Sequence, residues 1–304
     1  MMKIDTLADR KVPKIELFSS THWEDYELLD TGNGLKLERF GAYNFVRPEH
    51  QAVWKPALPA KAWEKAAAVF QPTSDESGGK WQFNRQIEPE WKMRYTDLSF
   101  MARTSNSRHL GVFPEQATHW DWIRERVVAG RHPVNILNLF GYTGMASLSA
   151  VKAGANVTHL DASKKTVQYA KENQRLSGLE GKPVRWIIDD AVKFVMREAR
   201  RGVHYDGIIL DPPKFGRGPK GEVWEFFKML PFLLQEIKPL LSVRPLFLVI
   251  TAYAIRASAL SLHYSVQEMM HGINGTLTSG ELVLTEKSAG RILSMAITSR
   301  WSSP

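Results

Sequence analysis

The sequence predicts an α/β protein. A mostly parallel, twisted sheet covered by helices spans residues 105–304 and ends in an antiparallel hairpin, behind a small β-rich domain at residues 1–104. Three observations predict it. From residue 134 onward, apolar strand-like runs alternate with stretches of helical length, the pattern of βαβ units whose sheet is buried on both faces. The first of these runs leads into a glycine-bearing turn that opens a helix. Near the end, Glu281–Thr285 and Arg291–Thr298 flank Gly290 and read as a closing hairpin.

Each element follows in order. Tyr26–Asp30, the turn Thr31-Gly-Asn-Gly34 and Leu35–Phe40 carry a hairpin signal. A short helix is expected over Lys61–Val69, after Pro59. Residues 71–79 form a polar loop without periodicity. Trp81–Met101 alternates like sheet, with Trp91, Met93 and Tyr95 on one face. Trp23, Trp54, Trp63, Trp81 and Trp91 all lie in this first part. Aromatic rings between basic residues can stack on bases, but the nearly neutral charge of the segment favours a packed core. Beyond residue 105, strands are expected at Val134–Phe140, Ala155–Leu160, Val184–Ile188 and Tyr205–Leu210. Helices are expected at Met145–Ala153 (ended by Gly154), Ser163–Leu176 and Ala191–Arg201. Trp224–Ile237 reads as the helix before the fifth strand, broken or kinked at Pro231.

Composition narrows the function. The chain is 43% hydrophobic and 24% charged, as a packed globular protein is. It contains no cysteine, which closes disulfide staples, thiolate metal sites and cysteine nucleophiles. No apolar run approaches the roughly 18 residues of a membrane span. The N-terminal sequence lacks the apolar core of a secretory signal, so a cytoplasmic location is expected. No His/Asp/Glu cluster has metal-ligand spacing, and no metal is expected. Residues 1–100 hold 14 Lys/Arg against 15 Asp/Glu, whereas residues 101–304 hold 26 against 17. The basic excess is therefore confined to the second part, where it would attract a polyanion such as RNA.

The strand, glycine turn and helix at 134–153 place backbone N–H groups near a helix N-terminus, where a ligand can approach. Asp161 ends the next strand, 20 residues after Gly141, well placed to accept hydrogen bonds from a ribose diol. That spacing alone also fits a nicotinamide enzyme. The turn, however, is Gly141-Tyr-Thr-Gly144 and not Gly-x-Gly-x-x-Gly: Tyr142 stands where a second glycine would admit a pyrophosphate. Asp189 and Asp190 follow the third strand, within reach of an adenine amine. Asp190 is alternatively the cap of the helix at Ala191, with Asp189 the ligand. Asp211-Pro-Pro-Lys-Phe215 follows the fourth strand, at the edge where open α/β sheets bind ligands.

In order and interval these four elements resemble the class I S-adenosylmethionine-dependent methyltransferases, which have a Rossmann-like fold. Asn138-Leu-Phe-Gly-Tyr-Thr-Gly144 with Asp211-Pro-Pro-Lys-Phe215 is similar to the group containing the large-subunit ribosomal RNA methyltransferases. That group also carries an upstream element, here Gly111-Val-Phe-Pro-Glu-Gln116. The resemblance covers about residues 105–300; the first hundred residues are only a loose counterpart of the group's N-terminal additions. It implies that S-adenosylmethionine is the cofactor and that Asn138, which opens the glycine-turn motif, belongs to its site. Phe140, Gly141, Thr143 and Gly144 would wrap the methionine end. Asp161 and Ser163 would take the ribose, and Asp190 (or Asp189) with Ala191 the adenine. Phe113 and Gln116 would close the pocket. Phe113 and Phe140 read equally well as core.

Methyl transfer from a sulfonium is an in-line displacement, so the enzyme chiefly positions the acceptor and handles its proton. Asp211 and the carbonyls after it offer hydrogen-bond acceptors, Pro212 and Pro213 stiffen the turn, and Phe215 can stack on a flat substrate. Lys214, Arg217 and Lys220 form a basic loop suited to phosphates, or simply a solvated turn. Lys193, Arg197, Arg200 and Arg201 recur at helical spacing and read as a solvated face. Some members of the group methylate carbon 5 of cytosine through a cysteine adduct. This chain has no cysteine, and its fifth strand runs out as Leu248–Ala254, so that route is closed. A nitrogen of an RNA base, ribosomal RNA favoured, is the expected acceptor, with Tyr253 either lining its pocket or purely structural. The alternatives are a small-molecule or protein acceptor, and an RNA-binding protein that keeps the fold without catalysis.

Overall fold

The computed structural model of the protein describes residues 12–73, 78–130 and 133–304. In the N-terminal part, β1 (Ile15–Phe18) is followed by β2 (Tyr26–Gly32), β3 (Leu35–Phe40), β4 (Tyr43–Pro48), α1 (Ala60–Glu64), β5 (Ala68–Pro72), β6 (Gly79–Phe83), β7 (Glu90–Tyr95) and β8 (Leu98–Arg103). Strands β2 to β6 form one sheet in that order, and β7–β8 a separate hairpin. The predicted first hairpin is present. Its turn closes at Asn33-Gly34, both with positive φ, as a two-residue hairpin turn requires. The helix expected over 61–69 is only one turn long. Ala66–Ala68 are fully buried and Val69 lies in β5, so the need to bury this run against the sheet overrides its helical pattern. Of the expected loop at 71–79, residues 74–77 lie outside the described part.

The second part continues with α2 (Ala117–Ala129), β9 (Asn135–Leu139), α3 (Met145–Lys152), β10 (Asn156–Asp161), α4 (Lys164–Leu176), β11 (Val184–Ile188), α5 (Ala191–Arg200) and β12 (Gly207–Leu210). A small hairpin follows, β13 (Phe215–Arg217) and β14 (Val223–Glu225). The chain ends with α6 (Phe226–Ile237), β15 (Phe247–Ala252), α7 (Ala259–Met269), β16 (Thr276–Thr285) and β17 (Ile292–Ser302). The sheet order is β1-β16-β17-β15-β12-β9-β10-β11. Neighbours from β15 to β11 are parallel, and β17 is antiparallel to both β15 and β16. Every residue of β12 and β15 is buried, as a sheet covered on both faces demands. This is the mostly parallel sheet with a closing antiparallel hairpin that the sequence predicts, and the hairpin is longer than its sequence signal.

Three local differences have physical reasons. Trp224 belongs to β14 and not to a helix, and Pro231 sits inside α6 without breaking it, because the turn before Pro231 faces solvent at Phe227, where the freed carbonyl can be hydrated. Tyr205 precedes β12 and joins the sheet only by an isolated bridge to Leu241. Strand β1 crosses from the N-terminal part to pair with β16. One continuous core holds Phe40, Phe45, Met93 and Phe100 together with Trp120, Ile136 and Leu148. Trp91 is buried in it, and Trp23, Trp54 and Trp81 pack against it, so these rings are core and not a base-stacking platform.

Candidate active site

The strand order reverses between β9 and β12, and the crevice at their carboxyl ends opens into a cavity of about 920 Å³. On one side the backbone turns sharply. Phe140 (φ 60°), Tyr142 (φ 48°) and Gly144 (φ 88°) all adopt the left-handed region, which costs a non-glycine residue on the order of 1 kcal/mol or more and persists only where its surroundings impose it. Here they do. Tyr142 N donates to Asp161 Oδ2 at 3.0 Å, Thr143 Oγ1 to the Gly111 carbonyl at 2.7 Å, and Asn173 Nδ2 to the Thr143 carbonyl at 3.0 Å. Asp161 also accepts from Ser163 N at 2.8 Å, and burial raises its pKa.

The glycines of this turn answer to the protein's own packing. A Cβ on Gly141 would lie 2.4 Å from the His159 ring, and one on Gly144 would lie 2.9 Å from Ala170 Cβ. Beneath the turn, Asn138 Nδ2 donates to Ser147 Oγ at 2.8 Å, and that hydroxyl lies 2.9 Å from His159 Nδ1. Burial pushes the His159 pKa down to about 3, so the ring is neutral. Asn138 therefore supports the turn from below and does not face the cavity.

Further along the wall, Asp190 caps α5, accepting from Lys193 N at 2.9 Å. Asp189 pairs with Arg197 and lies beside Ala191 on the cavity surface. Across the crevice, Asp211 N reaches back to the Leu139 carbonyl at 3.4 Å, and Gln116 Nε2 donates to Asp211 Oδ2 at 3.0 Å. Burial and the nearby Glu115 push the Asp211 pKa up to about 8. The Pro213 carbonyl, one of the acceptors offered by the sequence, is taken by Trp224 Nε1 at 2.6 Å, and the Trp224 ring lies 5.0 Å from that of Phe140. Phe113 roofs the space, 5.0 Å from Tyr253 and 5.4 Å from Tyr142 between ring centroids.

Of the predicted site residues, Phe113, Phe140, Asp161, Ser163, Asp189, Asp190, Ala191, Asp211, Pro212, Pro213 and Lys214 line the cavity. Gln116, Asn138, Gly141, Thr143 and Gly144 stand behind that wall. Phe215 is 56% exposed on the β13–β14 hairpin beside the mouth. Lys193 and Arg201 are paired with Glu222 and Glu198, so the basic face of α5 is partly neutralised. Sequence reasoning missed Lys36 and Arg47 of the N-terminal sheet, and His109 in the segment after β8, all of which line the cavity. It also missed Glu115, only 3% exposed, although that residue stands inside a quoted motif. Among the described residues no group of three or more His, Asp or Glu is placed to hold a metal ion, and no helix is long and apolar enough to cross a membrane.

The wall matches the chemistry of S-adenosylmethionine. A carboxylate at the end of β10 suits a diol, acidic residues at the end of β11 suit an amine, aromatic rings cover apolar surface, and the volume is that of a small-molecule site. Comparison with known proteins agrees. A family model described as S-adenosylmethionine-dependent methyltransferase matches residues 47–256. Among solved structures, the SAM-dependent methyltransferase from Agrobacterium tumefaciens is 46% identical and superposes with a TM-score of 0.91 over 97% of both chains. Two relatives named ribosomal RNA large subunit methyltransferase K/L align in part. The one from a Shewanella species is 38% identical over 170 residues, 55% of this chain and 23% of that protein. The one from Syntrophotalea carbinolica is 43% identical over 82 residues, 27% of this chain and 11% of that protein. The chain thus spans less than a quarter of the length of these curated relatives. With the family match covering most of the chain and a full-length structural counterpart beside it, this chain belongs to the S-adenosylmethionine-dependent methyltransferases.

Proposed function

We propose that the chain methylates a nitrogen of an RNA base, ribosomal RNA favoured, in the cytoplasm, without a cysteine adduct. The observation that carries this reading is the Asp211–Phe215 turn. It sets a carboxyl on the cavity wall, and beside the mouth lie an exposed flat ring, Phe215, and two exposed cations, Lys214 and Arg217. Bound S-adenosylmethionine supplies an electrophilic methyl group. The residues of the chain do the positioning: Asp161 and Ser163 would hold the ribose, Asp189 or Asp190 with Ala191 the adenine, and Phe140 with the turn behind it the methionine end. Asp211 would accept a hydrogen bond from the acceptor nitrogen, and Lys214 and Arg217 would take flanking phosphates. Residues 1–104 would recognise the substrate or cover the acceptor as a lid. The names of the Shewanella and Syntrophotalea relatives favour ribosomal RNA.

A second reading rests on the N-terminal wall. Lys36 and Arg47, with His109 after β8, line the same cavity as Asp211, an arrangement that also suits a small acceptor. Radiolabelled methyl transfer to RNA from cells lacking the protein, followed by mass spectrometry of the nucleosides, separates the two. A methylated nitrogen base supports the first reading. Transfer only to metabolites or protein overturns it.

A further inference from the structure

The Asp211 carboxyl does not face the acceptor space alone. Glu115 lines the same cavity, only 3% exposed, on the turn between Phe113 and α2. Its neighbour Gln116 is hydrogen-bonded to Asp211, so the two carboxyl-bearing segments are fastened to each other. Aromatic and apolar surface surrounds them: Phe113, Tyr253, Pro212 and Ile297 line the cavity too. The charged and titratable groups that face Glu115 are Lys36 and Arg47 from β3 and β4, Tyr26 from β2, Tyr253 after β15 and Asp211 after β12. Glu281 of β16 lines the cavity as well. Arg47 is already engaged by Glu38 in two hydrogen bonds of 2.7 and 2.8 Å, and Lys36 lies between Glu38 and Glu49 at 3.8 and 3.6 Å. The nearby cations are thus shared with other carboxylates, and two carboxyl groups remain in one poorly solvated space.

We propose that Glu115 and Asp211 form a single acid–base pair in the acceptor pocket, holding one proton between them in the resting protein. Like charges that share one poorly solvated cavity wall cannot both ionise without cost. Glu115 is then a positioning residue: it sets the proton affinity of Asp211. The inference rests on the nitrogen-acceptor reading for its use in catalysis. As the nitrogen lone pair forms the new N–C bond, the electron pair of the broken C–S bond stays with sulfur. The proton leaving nitrogen passes to Asp211 once Asp211 has ionised; Asp211 becomes neutral and later releases the proton to water. Burial raises the pKa of both carboxyl groups, in keeping with a shared proton.

The test needs no acceptor. In protein labelled with ¹³C at the aspartate carboxyl carbon, with Asp211→Asn identifying the resonance, Asp211 should titrate well above the ordinary carboxylate range. In Glu115→Gln that titration should move down by about one unit or more. Retained affinity for S-adenosylhomocysteine shows that the variant is folded. If Glu115→Gln does not fold, glutamate labelling with Asp211→Asn makes the same test from the other side, through a fall in the Glu115 titration. An unmoved titration in either variant, or a wild-type Asp211 that titrates below pH 5, overturns the pair. Absence of RNA methylation by the wild-type protein, with the titration intact, overturns only the substrate reading. Once an acceptor is in hand, the acid limb of kcat should shift with the titration in Glu115→Gln while KM stays within a few-fold.

Discussion

Gln116 Nε2 donates to Asp211 Oδ2 at 3.0 Å, latching the turn before α2 to the carboxyl end of β12. The latch holds a carboxyl whose pKa burial and Glu115 raise to about 8. Below that pH the carboxyl keeps its proton and cannot accept another. The kcat for methyl transfer should therefore climb about tenfold per pH unit and level off above pH 8. A rate flat from pH 6 to 9 would remove Asp211 as the group that accepts the proton.

The same shift has a stability consequence. The folded pKa lies above the ordinary value of 3.8, so the protonated form is favoured in the native state. The contribution of Asp211 to stability is then full below pH 3.8 and is lost as pH rises toward about 8. Asp211→Asn, which carries no charge, should gain at least about 1 kcal/mol over wild type at pH 9, a rise in Tm of roughly 2 °C or more, and much less at pH 4. Thermal unfolding of both proteins at the two pH values checks the sign.

Asp161 takes two backbone N–H groups, from Tyr142 and Ser163, and presents the rest of its carboxyl to the cavity. Asp161→Ala should weaken S-adenosylhomocysteine binding by about tenfold or more, the size of a lost charge-assisted hydrogen bond. Calorimetry reads this directly. Asp161→Asn separates the charge from the turn, because its amide oxygen can still accept from Tyr142 N. Equal affinity in wild type and Asp161→Ala would take the ribose contact away from this residue.

The legible part of this site is the part written in short stretches of chain. Gly141 to Gly144, Asp161, Asp189–Asp190 and Asp211–Phe215 each end a strand whose apolar run is visible by itself, so their convergence follows from the parallel order. What sequence cannot show is which residues meet through distant pairing. Lys36 and Arg47 reach the cavity only because β3 and β4 pair and then pack against the second part, and neither position carries a local signal. The four residues of β1 are too few to display a period, and their partner β16 is more than 200 residues away. Glu115 stood in plain view between Pro114 and Gln116, but its burial depends on Tyr253 and Asp211, which other strands bring. Asn138 shows the converse. Its place at the start of the motif suggests a ligand contact, yet it sits beneath the turn and bonds Ser147.

Glu38 and Arg47 make a second, structural test of the N-terminal wall. Burial would raise the Glu38 pKa, but the charges of Arg47 and Lys36 outweigh it and hold the carboxyl below its ordinary range of 4.5. A depressed pKa gives stability that is present above the ordinary value and lost as pH falls. Arg47→Ala leaves Glu38 buried with its bidentate partner gone, which should cost about 3–5 kcal/mol. Urea unfolding at pH 7 measures the cost. Glu38→Gln should also flatten the loss of wild-type stability below pH 4.5.

The last prediction separates substrate from chemistry. Lys214 and Arg217 are exposed on the β13–β14 segment, and neither takes part in the hydrogen bonds that latch Asp211. If they take phosphates, Lys214→Ala and Arg217→Ala should each weaken RNA binding and lower the slope of log affinity against log salt by about one contact. Cofactor affinity should stay within a few-fold, because Asp161 and the turn are untouched. Asp211→Ala should do the reverse, losing about a hundredfold or more in methyl transfer while RNA affinity and its salt slope stay near wild type. Filter binding across a salt series, paired with single-turnover methyl transfer, gives both quantities for each variant. A salt slope indifferent to Lys214 and Arg217 would leave the loop as a solvated turn. If methyl transfer to a small acceptor then proceeded at wild-type rates in both loop variants, the N-terminal wall of Lys36 and Arg47 would become the place to look for the substrate.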